Sequence, residues 1–201
     1  MIDVMFFVLL IVSNFAIVLF LTTLGREFLY SYAMVAGAFI VVLIPVNVQI
    51  FGFPFALIEV LYATFFLITD IISELYNKES ARKTVWFAVL GLIIGLVFVK
   101  IGLLISPSEF DLSNEYLSAV SSIFTPVALL LVATAFIVEQ SLDIYNFDKI
   151  RTWTKGKYLW LRNVVSTITT QTIDVFIVYP IFFYPILGSE IWKLMLAAIV
   201  F

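Results

Sequence analysis

The chain has 201 residues, of which 63% are apolar and 12% charged, with a net charge of −3 and a mean hydropathy of +1.14. An ordinary soluble domain carries about twice that share of charge, so a water-soluble fold is excluded and nucleic-acid binding has no support. With neither cysteine nor histidine, the chain has no disulfide, no thiolate nucleophile and no Cys-based metal site, and it lacks the commonest general base and zinc ligand.

A membrane span needs about 20 mostly apolar residues, rising about 1.5 Å each, to cross a hydrocarbon core of roughly 30 Å. Runs of that kind cover residues 4–24, 32–50, 53–72, 84–105, 125–142 and 160–184. The first follows Asp3 rather than a basic stretch and reads as a retained span, not a signal peptide. A seventh run begins near Ile191; the eleven positions to Phe201 are too few to cross, so this helix is either half-depth or incomplete. The expected fold is all-α, a polytopic transmembrane bundle of six to seven spans forming one integral membrane domain over residues 1–201. Tyr30, Tyr32, Trp86, Tyr158 and Trp160 collect near predicted ends, as interfacial aromatics do.

Basic residues set the expected orientation, because Lys and Arg accumulate in cytoplasmic loops. Arg26 follows span one; Lys78, Arg82 and Lys83 follow span three; Lys149, Arg151, Lys155, Lys157 and Arg162 follow span five. The loop after span four is acidic, with Glu109, Asp111 and Glu115. These place the basic loops 73–83 and 144–161 in the cytoplasm and the N-terminus outside a cell membrane. Thr125-Pro126 offers an N-cap with proline at the first helical position. Leu112, Tyr116, Val120 and Phe124 recur every fourth residue, predicting a short amphipathic helix at the outer surface. Pro180 predicts a kink in the last long span and Pro185 its end. Gly91, Gly95 and Gly102 in span four predict close helix packing. Asp70-Ile71 and Asp143-Ile144 end two inward-running spans alike, a hint of two parallel repeats.

A charged group at mid-bilayer costs about 2.5–3.5 kcal/mol even on insertion scales, so buried carboxylates need a reason. Asp70 and Glu74 share one helix face near the inner end of span three, as Glu139 and Asp143 do in span five beside Gln140. In span six Asn163, Thr167, Thr170, Gln171 and Asp174 form one stripe, with Arg162 and Ser166 close by. Each has a plain alternative. Asp70, Glu74 and Asp143 can be solvated or paired with Arg82, Lys83 or Lys149, and the hydroxyls can serve helix packing. Asp174 is harder to dismiss, lying roughly 18 Å into a helix that starts at Arg162. It is expected to line a substrate cavity. Glu59 is similarly deep in span three, or faces an outer vestibule. A cavity of acceptors, amides and hydroxyls near aromatic rings suits a planar, donor-rich solute, which a carboxylate can hold through two N–H bonds.

The segments ATFFLITDIISELYNKESARKTVWF, VEQSLDIYNFDKIR and KGKYLWLRNVVSTITTQTIDVF resemble the VUT family of queuosine-precursor transporters, from about Phe51 to Tyr184. That resemblance implies import of the 7-deazaguanines preQ0 or preQ1 for tRNA modification. It implies substrate binding by Asp70, Glu74, Gln140, Asp143, Asn163, Thr167, Gln171 and Asp174, with Arg162 and Ser166 as further candidates; Glu59 and Glu139 are candidates from their positions in spans three and five alone. Glu74 matches only part of the family. Asn77 stands where the pattern has glycine, tolerable because asparagine also visits the left-handed region; Val164 replaces a second asparagine and Val175 a small hydroxyl residue. No catalytic residue, metal or cofactor is expected, and the chain does not read as an enzyme. Its partners would be a nucleobase-like solute and the lipid bilayer, with a homo-oligomer compatible. No phosphate-binding G-x-x-x-x-G-K loop occurs. The competing readings are the substrate-binding subunit of a larger ATP-driven system and a structural subunit of a membrane complex.

Overall fold

Inside hydrocarbon only a helix satisfies every backbone group within one segment, so long apolar runs must be helical. The computed structural model of the chain describes residues 2–111, 113–180, 184 and 188–200. Helix α1 spans Ile2–Leu24 and α2 spans Arg26–Leu43, separated by Gly25 alone, whose φ of 112° suits glycine. Helix α2 starts six residues ahead of the apolar run, with Arg26 and Glu27 paired 3.1 Å apart at its exposed end.

The stretch from residue 44 to 58, expected to close one span and open the next, is a hairpin instead. Strands β1 (Asn47–Ile50) and β2 (Phe53–Ala56) pair antiparallel, with Val48 opposite Phe55 and Gln49 opposite Pro54. Phe51 and Gly52 both take positive φ, 52° and 83°, the two-residue turn that matches the twist of a hairpin. Pro54 could not continue a helix interior, and a two-stranded ribbon tolerates its missing N–H at an edge.

Helix α3 (Glu59–Leu75) therefore begins later than hydropathy alone suggests, and a two-residue turn leads to α4 (Lys78–Gly102). Asn77 is extended rather than left-handed; its side chain caps α4 by accepting from the Ser80 N–H at 2.8 Å. Helix α5 (Asn114–Ile123) is the expected short amphipathic element. Asp111 accepts from the Ser113 N–H and hydroxyl and from the Asn114 N–H just before it. Those bonds from Ser113 hold its carboxyl below the usual range. Helix α6 (Pro126–Trp153) opens on the predicted cap, with Thr125 accepting from Ala128 N–H at 3.1 Å. It then continues for 28 residues. The loops expected over 73–83 and 144–161 are therefore mostly helix, leaving only short turns around residues 76–77 and 154–158.

Helix α7 (Leu159–Ile173) runs into a π-helical turn, Asp174–Val178. This turn precedes Pro180: Tyr179 N–H reaches back five residues to the Asp174 carbonyl just before the proline removes the next donor. Pro185 lies outside the described residues. Helix α8 covers Ile191–Val200. Among the described residues, α1, α2, α4 and α6 are long and apolar enough to cross a bilayer. Helix α3, at 17 residues, and α7 with its π turn fall outside that group and carry much of the polar load.

The tightest seam joins α2 and α4. A Cβ on Gly91 would lie 1.9 Å from the Met34 carbonyl, and one on Gly37 2.1 Å from that of Ala88. Gly95 approaches Ala38 in the same way, whereas Gly102 faces open space and belongs to no seam. Helices α3 and α6 are joined through Phe136, which meets Phe65 edge-on at 5.0 Å and Tyr62 at 5.8 Å. Tyr30 donates to the Ser80 carbonyl at 3.0 Å and Arg151 to that of Ser73 at 3.0 Å. These bonds gather the α1–α2, α3–α4 and α6–α7 turns at one basic end, opposite the hairpin. Gly91→Ala should lower thermal stability in detergent by about 2–3 kcal/mol because a backbone carbonyl must move. Gly102→Ala should change it by less than about 1 kcal/mol.

Candidate functional site

Helices α3, α6 and α7 bring their polar residues together in three layers along the bundle. At the basic end Arg162 is 1% exposed. Its Nη2 pairs with Glu74, its Nη1 donates to the Gly156 carbonyl at 3.1 Å, and its guanidinium lies 5.2 Å from the Phe147 ring centre. Arg151 Nε approaches the same Glu74 carboxylate at 3.9 Å. Glu74 is thus tied to two arginines, Arg151 and Arg162, rather than to Arg82, Lys83 or Lys149.

One turn further in lies the second layer. Asn163 Nδ2 donates to Asp70 Oδ2, and Asp143 is close enough to Asp70 for their charges to interact. Asp143 and Gln140 are fully buried on the same face of α6. Both oxygens of Asp143, both amide atoms of Gln140 and Oδ1 of Asp70 have no hydrogen-bond partner, with the Ser166 hydroxyl beside Asp143. Asp70 of α3 and Asp143 of α6 thus approach each other across the bundle.

The third layer centres on Glu139 and Asp174, whose carboxyls lie against each other. Tyr179 donates to Glu59, and Gln171 reaches the same carboxyl. A cavity of about 390 Å³ adjoins this layer, lined by Glu59, Thr167 and Gln171 together with aromatic walls from Phe55, Tyr62 and Phe66. Its size falls within the range of small-molecule sites. Asp174 is not among the lining residues; it turns to Glu139 instead. The sequence-derived set is therefore divided: Thr167, Gln171 and Glu59 face the cavity, while Asp70, Gln140, Asp143, Asn163 and Ser166 form the layer nearer the basic end.

Sequence reasoning missed Tyr179. Five residues of α-helix rotate a side chain by about 140°, so Tyr179 does not share the Asp174 face in a regular helix. The π turn changes that register. It also missed the polar clamp on α1, where Asn14 donates to Thr64 and to the Val60 carbonyl and accepts from Tyr32. A lone asparagine in an apolar helix was its available signal.

Apolar helices enclosing buried carboxylates and amides beside a cavity define a helical membrane protein with a polar interior. Residues 59–201 match the family described as "Putative vitamin uptake transporter", and the chain belongs to that family. A protein of Bacillus subtilis strain 168, described as "Probable queuosine precursor transporter", is 36% identical over 148 residues, covering 73% of this chain and 64% of that protein. The chain thus spans just under two thirds of that relative's length. No solved structure matches it.

Glu74→Leu strands the buried Arg162 guanidinium and should cost about 3 kcal/mol. The comparison is thermal unfolding of the wild type and the variant in the same detergent.

Proposed function

We propose that the chain carries a 7-deazaguanine precursor of queuosine, preQ0 or preQ1, across the cytoplasmic membrane without altering it chemically. The observation that carries this reading is the set of five unpartnered atoms on Asp70, Gln140 and Asp143. Each unmet buried polar group costs about 1–3 kcal/mol, so a ligand that satisfies several at once gains much of that sum. A 7-deazaguanine offers N1–H and an exocyclic amine along one edge, which the two oxygens of Asp143 can accept together. Gln140 has both a donor for the ring carbonyl and an acceptor to spare. Asp70 suits the aminomethyl cation of preQ1.

The cavity lined by Thr167 and Gln171 lies one to two turns of α7 beyond Asn163. Its aromatic walls can stack on the ring as the base moves toward the layer of Asp70 and Asp143. Family membership and the description of the Bacillus subtilis relative support the same reading. In this scheme Asp143 takes the edge contact that the sequence assigns to Asp174, because Glu139 occupies Asp174.

Uptake of radiolabelled preQ1 by cells expressing the chain, against cells without it, tests the reading directly. Asp143→Asn turns one acceptor into a donor facing the ligand's own N–H and should cost about 2–4 kcal/mol in binding. That is roughly a thirtyfold to thousandfold loss of affinity. Wild-type uptake by a normally inserted Asp143→Asn would remove the site.

We also place the basic end in the cytoplasm, since Lys78, Arg82 and Lys83 in the first turns of α4 and Lys155 and Lys157 in the α6–α7 turn gather there. Lys155→Cys should be labelled by an impermeant maleimide only after the cells are opened, and Glu109→Cys in intact cells.

A further inference from the structure

Three carboxyls from three elements lie within electrostatic reach of one another in the apolar interior: Glu139 of α6 against Asp174 at the start of the π turn, and Glu59 of α3 near both. Glu139 is 2% exposed and Asp174 6%. With both ionised, Oε1 of Glu139 has no hydrogen-bond partner although the Asp174 carboxyl lies against it. Two carboxylates cannot hydrogen-bond each other; a carboxyl and a carboxylate can, through one proton. Tyr62 faces all three acids, and Tyr179 donates to Glu59.

No counter-ion reaches this group from the elements packed around it, among the described residues. Helix α1 has no ionisable residue from Val4 to Leu24. Tyr32 of α2 bonds Asn14, Lys100 of α4 bonds Ser121, and Lys193 of α8 pairs with Glu190. Asp143 lies one turn along α6 and adds only negative charge. Arg162 is roughly 18 Å along the helix from Asp174 and is held by Glu74. The described residues also contain no His/Cys/Asp/Glu group arranged to hold a metal ion. A proton held between Glu139 and Asp174 would remove one of these adjacent negative charges.

We propose that Glu139 and Asp174 share one proton and, with Glu59 as the cavity-facing acceptor, form the site that couples solute movement to an inward proton gradient. This inference rests on the transport reading above. Glu59 and Gln171 line the cavity, so a proton arriving there reaches Glu59 first and passes to the Glu139–Asp174 pair behind it. Loss of that proton leaves adjacent carboxylates in an apolar interior, a state that favours rearrangement of α6 against the π turn. Release of the proton is thereby tied to a change in the shape of the same helices that hold the solute.

The test uses the full chain reconstituted in liposomes. Infrared spectroscopy at neutral pH should show the C=O stretch of a protonated buried carboxyl, lost in both Glu139→Gln and Asp174→Asn, each first checked for a single folded species. With the membrane potential clamped at zero, an acid-outside gradient of one pH unit should drive up to about tenfold accumulation of preQ1, since one proton per solute then transmits a tenfold ratio. A protonophore or Glu139→Gln should abolish that accumulation. A band that is absent, or unchanged in both variants, overturns the proton site, as does wild-type equilibration of preQ1 that ignores the gradient. Wild-type protein that neither binds nor moves preQ1 overturns the transport reading instead, and the infrared band then decides the proton site without reference to any solute.

Discussion

Hydrocarbon supplies no hydrogen bonds, so every polar group that α3, α6 and α7 carry inward must be satisfied by another part of the chain, by a proton or by a ligand. The Arg162–Glu74 pair shows the first solution. A guanidinium at 1% exposure is tolerated because Glu74, the Gly156 carbonyl and the Phe147 ring surround it. Breaking such an arrangement costs more than forming it gains, so it fixes the register of α7 against α3 more than it adds to stability. That register sets Asn163 against Asp70 and Ser166 beside Asp143.

The α2–α4 seam has its polar contacts at the basic end, where Tyr30 bonds the Ser80 carbonyl, and is apolar where the glycines lie. Gly37, Gly91 and Gly95 let the α2 and α4 backbones touch, and dispersion between close backbones does the work that hydrophobic exclusion does in water. Helices α2 and α4 form a close-packed apolar pair, while α3, α6 and the π-broken α7 carry the buried carboxylates and amides. The π turn is part of that design, because it relaxes the helix where Asp174 and Tyr179 must face the same neighbours.

Much of the candidate site was legible as chemistry without being legible as geometry. Depth in an apolar run identified Asp174 and Glu59, and a shared helix face near the inner end identified Asp70 and Asp143, since lipid makes an unexplained carboxylate expensive. Pairing could not be read in the same way. Glu74 meets Arg162 across 88 positions and Asn163 meets Asp70 across 93. The hairpin at residues 47–56 escaped because its phenylalanines and valine keep hydropathy high; Pro54 and the Phe51-Gly52 turn were the contrary signals.

The sequence by itself determined that the chain lives in a membrane as helices, where α5 and α6 begin, which residues carry unexplained polarity, and the family to which it belongs. Those properties follow from composition and from spacing within a single segment, where helix periodicity converts position into face. Only the tertiary structure decided which face meets which. It joined α2 to α4 through glycines that a sequence shows only as small residues, gave Glu74 to two arginines, and turned Asp174 from the cavity to Glu139. Such choices depend on packing and on which buried donors find acceptors across the bundle, and no local pattern encodes contacts between segments about ninety residues apart.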